Sequence, residues 1–186
     1  MSYVFGAADS DPVRPADYAP VAELDAMTDV VVCLLDLPQA LCYFNPSGET
    51  ILTRERIRPI REHYKKIGAP PLDLWCNVRM WNFDDGSNWM LFDSVGMEQL
   101  DLTDHEACYP RGRYKADEVA IGIRNSTLYI AQHGPIIKDG ETMDGAGGIR
   151  WRANHHKESI AAPPRPVLRW LPTDDSEPPA RLRQTK

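Results

Sequence analysis

The stretch Leu72-Asp73-Leu74-Trp75-Cys76-Asn77-Val78-Arg79-Met80-Trp81-Asn82, then Asp84-Asp85-Gly86-Ser87, then Trp89-Met90-Leu91-Phe92-Asp93-Ser94-Val95, decides the fold class. It reads as a tryptophan-rich strand over residues 72–82, an acidic turn with glycine, and a second strand over 89–95, together a β-hairpin. A third strand at 105–109 follows with no helical pattern in between. Trp75, Trp81 and Trp89 fit core and hairpin packing, and Trp81 is expected to face Trp89 across the hairpin.

Upstream, Leu24, Met27, Val31 and Leu34 or Leu35 recur at helical spacing and predict a helix from near Pro20, stopped by Pro38. Residues 40–44 read as a short strand, with a turn at Asn45-Pro46-Ser47-Gly48. Thr53 is the expected N-cap of a second helix whose apolar positions are Ile57, Ile60, Tyr64 and Ile67. Pro59 lies inside it and either kinks the helix or begins a shorter one. Downstream, residues 116–132 predict a third helix with Val119 or Ala120, Ile123, Thr127 and Ile130 as its buried stripe. Strands near 149–153 and 167–171 close the folded part. The order does not alternate regularly between strand and helix. The expected fold is therefore α+β, a mainly antiparallel sheet packed with about three helices in a single domain over 20–172. An irregular arm (1–19) and a mobile tail (173–186) are expected to flank it.

Composition narrows the function classes. The chain has 186 residues, 42% hydrophobic and 26% charged, with no apolar run long enough for a membrane span, and its N-terminus lacks the basic and apolar regions of a secretory signal. A soluble cytoplasmic protein is expected. Cys33, Cys42, Cys76 and Cys108 are widely separated in or beside apolar runs and read as core residues of a reducing compartment. His105-Glu106-Ala107-Cys108 has no second ligand pair to complete a zinc site. The net charge of -6 argues against nucleic-acid binding, and the basic run Arg54, Arg56, Arg58, Arg61, Lys65, Lys66 reads as a solvated helix face.

The polar corner His133-Gly134-Pro135-Ile136-Ile137-Lys138-Asp139-Gly140-Glu141-Thr142 carries the densest chemistry. Read as a site, Lys138 would hold a negative charge, Asp139 or Glu141 would act as base, Thr142 would orient a hydroxyl, and His133 or His155 would move a proton. Read structurally, Gly134 and Pro135 end a helix and Asp139-Gly140 is a tight turn. The carboxylates Asp139, Glu141 and Asp144 lack EF-hand spacing, and Gly145-Ala146-Gly147-Gly148 lacks the lysine and following helix of a phosphate loop. His155 and His156, if in a strand, point to opposite faces and would not share a metal. No metal and no cofactor is expected.

With the blocks Ala40-Leu41-Cys42-Tyr43-Phe44, Leu72-Asp73-Leu74-Trp75, Ser94-Val95-Gly96-Met97, His105-Glu106 and above all the segment from Gly134 to Thr142, the chain resembles the bacterial domain of unknown function 4261 over about residues 21–171. The resemblance implies a cytosolic bacterial protein of α+β type, with some similar proteins beside secretion and toxin-immunity genes. It implies no reaction. Similar proteins usually carry a further α/β half before the first helix, where this chain offers Met1 to Ala19; an apolar face or sheet edge is then expected to be exposed, favouring a homodimer or a protein partner.

The leading expectation is a non-catalytic binding protein, an immunity or accessory protein that neutralises a toxin or effector of a secretion system. Its acidic balance suits a basic partner, with Asp84, Asp85, Asp101, Asp104 and Glu106 as contact residues. Alternatives are a small hydrolase or transferase using Lys138, Asp139, Glu141 and His133, and a structural subunit that self-associates through an exposed sheet edge.

Overall fold

A computed structural model describes residues 17–83 and 86–182. Asp84, Asp85, most of the expected N-terminal arm (1–16) and the end of the expected tail (183–186) lie outside the described residues. Helix α1 (Pro20–Leu34) opens on proline, whose missing N–H is one of the four a helix start leaves unpaired anyway. Strands β1 (Tyr43–Asn45) and β2 (Thr50–Leu52) form a small antiparallel hairpin around the expected turn at Asn45 to Gly48. The strand expected over 40–44 therefore begins later, and β2 is too short for a periodic pattern to reveal it.

Helix α2 (Arg54–Ile67) takes Thr53 as its N-cap residue and ends at Gly68, which is left-handed with φ 65°. It continues through Pro59, so Pro59 does not begin a shorter helix. Pro59 is exposed, where a carbonyl deprived of its donor can bond water. Arg61 corrects the solvated-face reading of this helix. It is buried, and its guanidinium holds Asp25 at 2.5 Å and Asp29 at 2.8 Å, tying α2 to α1. Hydrogen bonds from Arg61, with Lys65 beside it, lower the Asp29 carboxyl to about 2.

Residues 72–82 are not one strand. Helix α3 (Leu72–Trp75) occupies the first part, and β3 (Asn77–Asn82) starts after it. A continuous strand would send Leu74 and Trp75 to opposite faces. The helical turn after Pro71 instead buries Leu72, Leu74 and Trp75 in one cluster with Leu35, Tyr43 and Ile57, and the Trp75 indole N–H donates to Thr28 Oγ1 at 2.8 Å. This cluster joins α1, α2, α3 and the β1–β2 hairpin.

The main sheet contains β3, β4 (Trp89–Val95), β5 (Asp104–Pro110), β6 (Thr142–Asp144), β7 (Arg150–His156) and β8 (Val167–Pro172), in the order β3-β4-β5-β8-β7-β6. Every pair is antiparallel except β5–β8. The fold is α+β as expected, a single domain with four α-helices among the described residues. Helix α4 (Ala116–His133) crosses one face and buries Val119, Ile123, Thr127 and Ile130, the stripe read from its periodicity. Val119 and Ile123 pack with Phe92, Tyr109, Trp151 and Trp170, and Ile130 joins the cluster of Trp75 and Ile57. The opposite face is covered by the segment 157–166 and by a 3-10 turn (Ala180–Leu182). The expected tail is thus docked as far as Leu182, which is buried, with Arg181 3.6 Å over the Phe83 ring. Trp81 stands opposite Leu91, not Trp89, whose neighbour on β5 is Pro110. Cys76 and Cys108 are buried as expected, whereas Cys33 and Cys42 are exposed.

Two glycines let three backbones meet between the helical part and the sheet. A Cβ on Gly48 would lie 1.7 Å from the Trp75 carbonyl oxygen, and one on Gly96, at φ 119°, would lie 2.6 Å from the same atom. Neither position has room for a side chain. Gly48→Ala is expected to lower the unfolding free energy by about 2–4 kcal/mol, read from the urea midpoint.

His105 on β5 is fully buried beneath α4, with Nδ1 2.7 Å from Ser126 Oγ and Nε2 without a partner. Burial drives its pKa down from 6.5 to about 3. The folded state holds the ring neutral while the unfolded chain binds a proton below pH 6.5, so stability is full above that pH and falls as pH drops toward 3. The expected loss is about 1.4 kcal/mol per pH unit in that window, roughly 2 kcal/mol by pH 5. Denaturant titrations at pH 7 and pH 5 should show it, and His105→Gln should flatten the difference.

Candidate functional site

The polar corner braces the exit of α4 against β7. The Asp139 carboxylate accepts the His155 backbone N–H at 2.7 Å, and the Gly140 N–H donates to Ala153 O at 2.8 Å. The Ala153 N–H donates to Glu141 O, Glu141 Oε2 accepts the Lys138 backbone N–H at 3.0 Å, and the Arg150 guanidinium donates to Thr142 Oγ1. His155 Nε2 lies 2.9 Å from Ile137 O. His133 packs its ring on Tyr129 at 4.8 Å. Lys138, Asp139, Glu141 and His133 are all exposed. His155 and His156 diverge across β7, the second ring lying 3.2 Å from the Arg169 guanidinium.

The largest concentration of charge lies inside the molecule. On the sheet face away from α4, register places Arg79, Asp93, Glu106 and Arg169 side by side across β3, β4, β5 and β8. Asp93 and Glu106 are fully buried. Two carboxylates directly opposite would repel, but each has its own cation: Arg79 on Asp93, and Arg169 on Glu106 at 2.8 Å. Arg165, carried by the covering segment, reaches down to Asp93 at 2.7 Å and to Asp104 at 2.9 Å. Burial raises the Asp104 carboxyl above the ordinary range, opposed by the Ser94 hydroxyl and by Arg165.

Every oxygen of these carboxylates is satisfied. Asp104 accepts Ser94 Oγ–H at 2.7 Å and the Met97 N–H at 3.2 Å, Glu106 accepts the Ile160 N–H at 2.6 Å, and Asp93 accepts the Trp81 indole N–H at 2.9 Å. The cavity of about 330 Å³ beside Asp104 and Arg165 is therefore bordered by groups already engaged. Asp104 and Glu106, expected as partner contacts, are corrected: they bind Arg165 and Arg169 and present no charge to solvent. Asp101 is exposed at the end of the 3-10 turn Met97–Leu100. The overlooked signal was a charged residue flanked by apolar or small ones within four separate strands, three arginines against three acids once Arg165 and Asp104 are included.

A cavity of about 560 Å³ forms an apolar groove between α1 and β1. Leu24, Met27 and Val31 form one wall, Tyr43 and Phe44 the other, and Glu23 adds a carboxylate. Phe44 and Ile51 are opposite one another in the hairpin, 58% and 66% exposed, and Leu41 just before it is 87% exposed. Sequence reading missed this groove because helical spacing shows that α1 has an apolar stripe but not how much of it a neighbour covers.

The fold and these features define a small α+β domain with an ion-paired sheet face and an apolar groove. The family model of a Domain of unknown function (DUF4261) matches residues 93–171. The match is narrower than the resemblance read over 21–171. It includes Asp93, Asp104, Glu106, Arg165 and Arg169, and it leaves outside α1, α2, the β1–β2 hairpin and β3. No curated protein and no solved structure matches the chain. Among the described residues no helix is long and apolar enough to cross a membrane, and no group of three or more His, Cys, Asp or Glu could hold a metal ion.

Removing Arg165 would leave two buried carboxylates short of a cation. Arg165→Met is expected to destabilise the fold by about 3–5 kcal/mol, whereas Lys138→Ala should stay within about 0.5 kcal/mol, both read from urea midpoints at pH 7.

Proposed function

We propose that the chain is a non-catalytic protein-binding protein, an immunity or accessory protein that masks a toxin or effector domain, and that it binds through the groove between α1 and β1. The observation that carries the reading is an apolar groove of about 560 Å³ lined by the exposed Phe44, with the exposed Ile51 opposite Phe44 in the hairpin and the exposed Leu41 just before it in the chain. Large exposed apolar side chains grouped at one place mark interaction surfaces, because leaving them in water has a standing cost that a partner removes. The occupant best suited to the groove is an amphipathic helix of the partner, its apolar face against Leu24, Val31 and Phe44 and a basic residue beside Glu23. The net charge of -6 speeds encounter with such a basic partner.

The test is to capture partners from the native cell on the immobilised protein and to compare variants. Leu41→Glu with Phe44→Glu is expected to weaken binding at least about tenfold, equivalent to about 1.4 kcal/mol. Ile121→Glu, an exposed position on α4, should leave binding unchanged. A partner retained equally by all three proteins would overturn the groove assignment.

A further inference from the structure

The two edges of the main sheet differ. Edge strand β6 has three residues, and Arg150 caps it by donating to the Thr142 carbonyl and pairing with Asp144. Edge strand β3 has six residues and no proline. Among the described residues, none of its backbone N–H or C=O groups bonds outside the β3–β4 ladder. Its one charge, Arg79, is turned onto Asp93 and Glu49 and does not guard the edge. Met80 and Trp81 are 54% and 44% exposed there. An uncapped edge of this kind is a template for another strand.

We propose that β3 pairs antiparallel with β3 of a second copy of this chain, about a two-fold axis at Met80. Self-complementarity selects a second copy as the occupant. Opposed residues in an antiparallel pair share a face, so a two-fold axis normal to the sheet must pass beside a residue position. Centred on Arg79, the register sets two like charges opposite each other. Centred on Trp81, it pairs only residues 80–82. Centred on Met80, it uses the whole open half of the strand. Met80 then meets the partner's Met80, Trp81 meets the partner's Arg79, and Val78 meets the partner's Asn82. The Trp81 and Arg79 contact would repeat between copies the one made within the chain, where the guanidinium lies 5.2 Å from the ring centre. The association joins two six-stranded sheets into one through β3, which does not line the groove between α1 and β1.

The test uses the full chain with Cys33→Ser and Cys42→Ser, which removes the two exposed thiols. Adding Met80→Cys brings two thiols together at the axis, where opposed Cα atoms about 4.5–5.5 Å apart suit a disulfide. The expected results are a mass of two chains of 21.0 kDa by light scattering, rapid oxidation of the Met80→Cys protein to a covalent dimer, and no cross-link in an Ile121→Cys control. Met80→Lys should raise the dimer dissociation constant at least about tenfold. A single-chain mass at the highest soluble concentration would overturn the proposal. So would a dimer that neither cross-links through Met80→Cys nor loosens with Met80→Lys.

Discussion

The row of charges from Arg79 through Asp93 and Glu106 to Arg169 is the constraint on which the rest of the sheet depends. Buried ion pairs contribute little net stability compared with apolar side chains of the same shape, because desolvation offsets the attraction. They are unforgiving of misplacement. A slip of one residue between any two of these strands would move an acid or an arginine to the face packed by α4, where it would have no partner. The row therefore fixes the register of four strands at once, and Arg165 extends the same demand to the covering segment by joining Asp93 to Asp104.

The helical part is attached by different means. Arg61 holds α1 through Asp25 and Asp29, Trp75 bonds Thr28, and Gly48 and Gly96 allow the hairpin turn, the end of α3 and the end of β4 to meet at one carbonyl. These are backbone and buried-polar contacts of short reach. They leave Val30 and Leu34 of α1 and Phe44 and Ile51 of the hairpin exposed. The matched family segment leaves out α1, α2 and the β1–β2 hairpin, and also β3 with Arg79.

Local pattern carried the elements whose signals were long or strongly periodic. Helix α4 and its buried stripe were legible because eighteen residues give five turns of repetition. The β3–β4 hairpin, the last strand and the α+β class were legible from turn residues and element order. Short elements were not: α3 and β2 hold four and three residues, fewer than a period needs to establish itself. The polar corner had two readings, and its hydrogen bonds to β7, which lies further along the chain, belong to the structural one.

By itself the sequence determined the long helices and most strands of the main sheet, where the chain must turn, and that the molecule would be an acidic single α+β domain. Tertiary structure alone decided that Asp104, Glu106 and Arg61 are buried and that Leu41, Phe44 and Ile51 are not. A residue's helix or strand preference is set by neighbours a few positions away. Its burial and its charge partner are set by residues brought alongside from tens of positions away, as Arg165 is to Asp93, and local order can hint that a charge is buried but not which residue pairs with it.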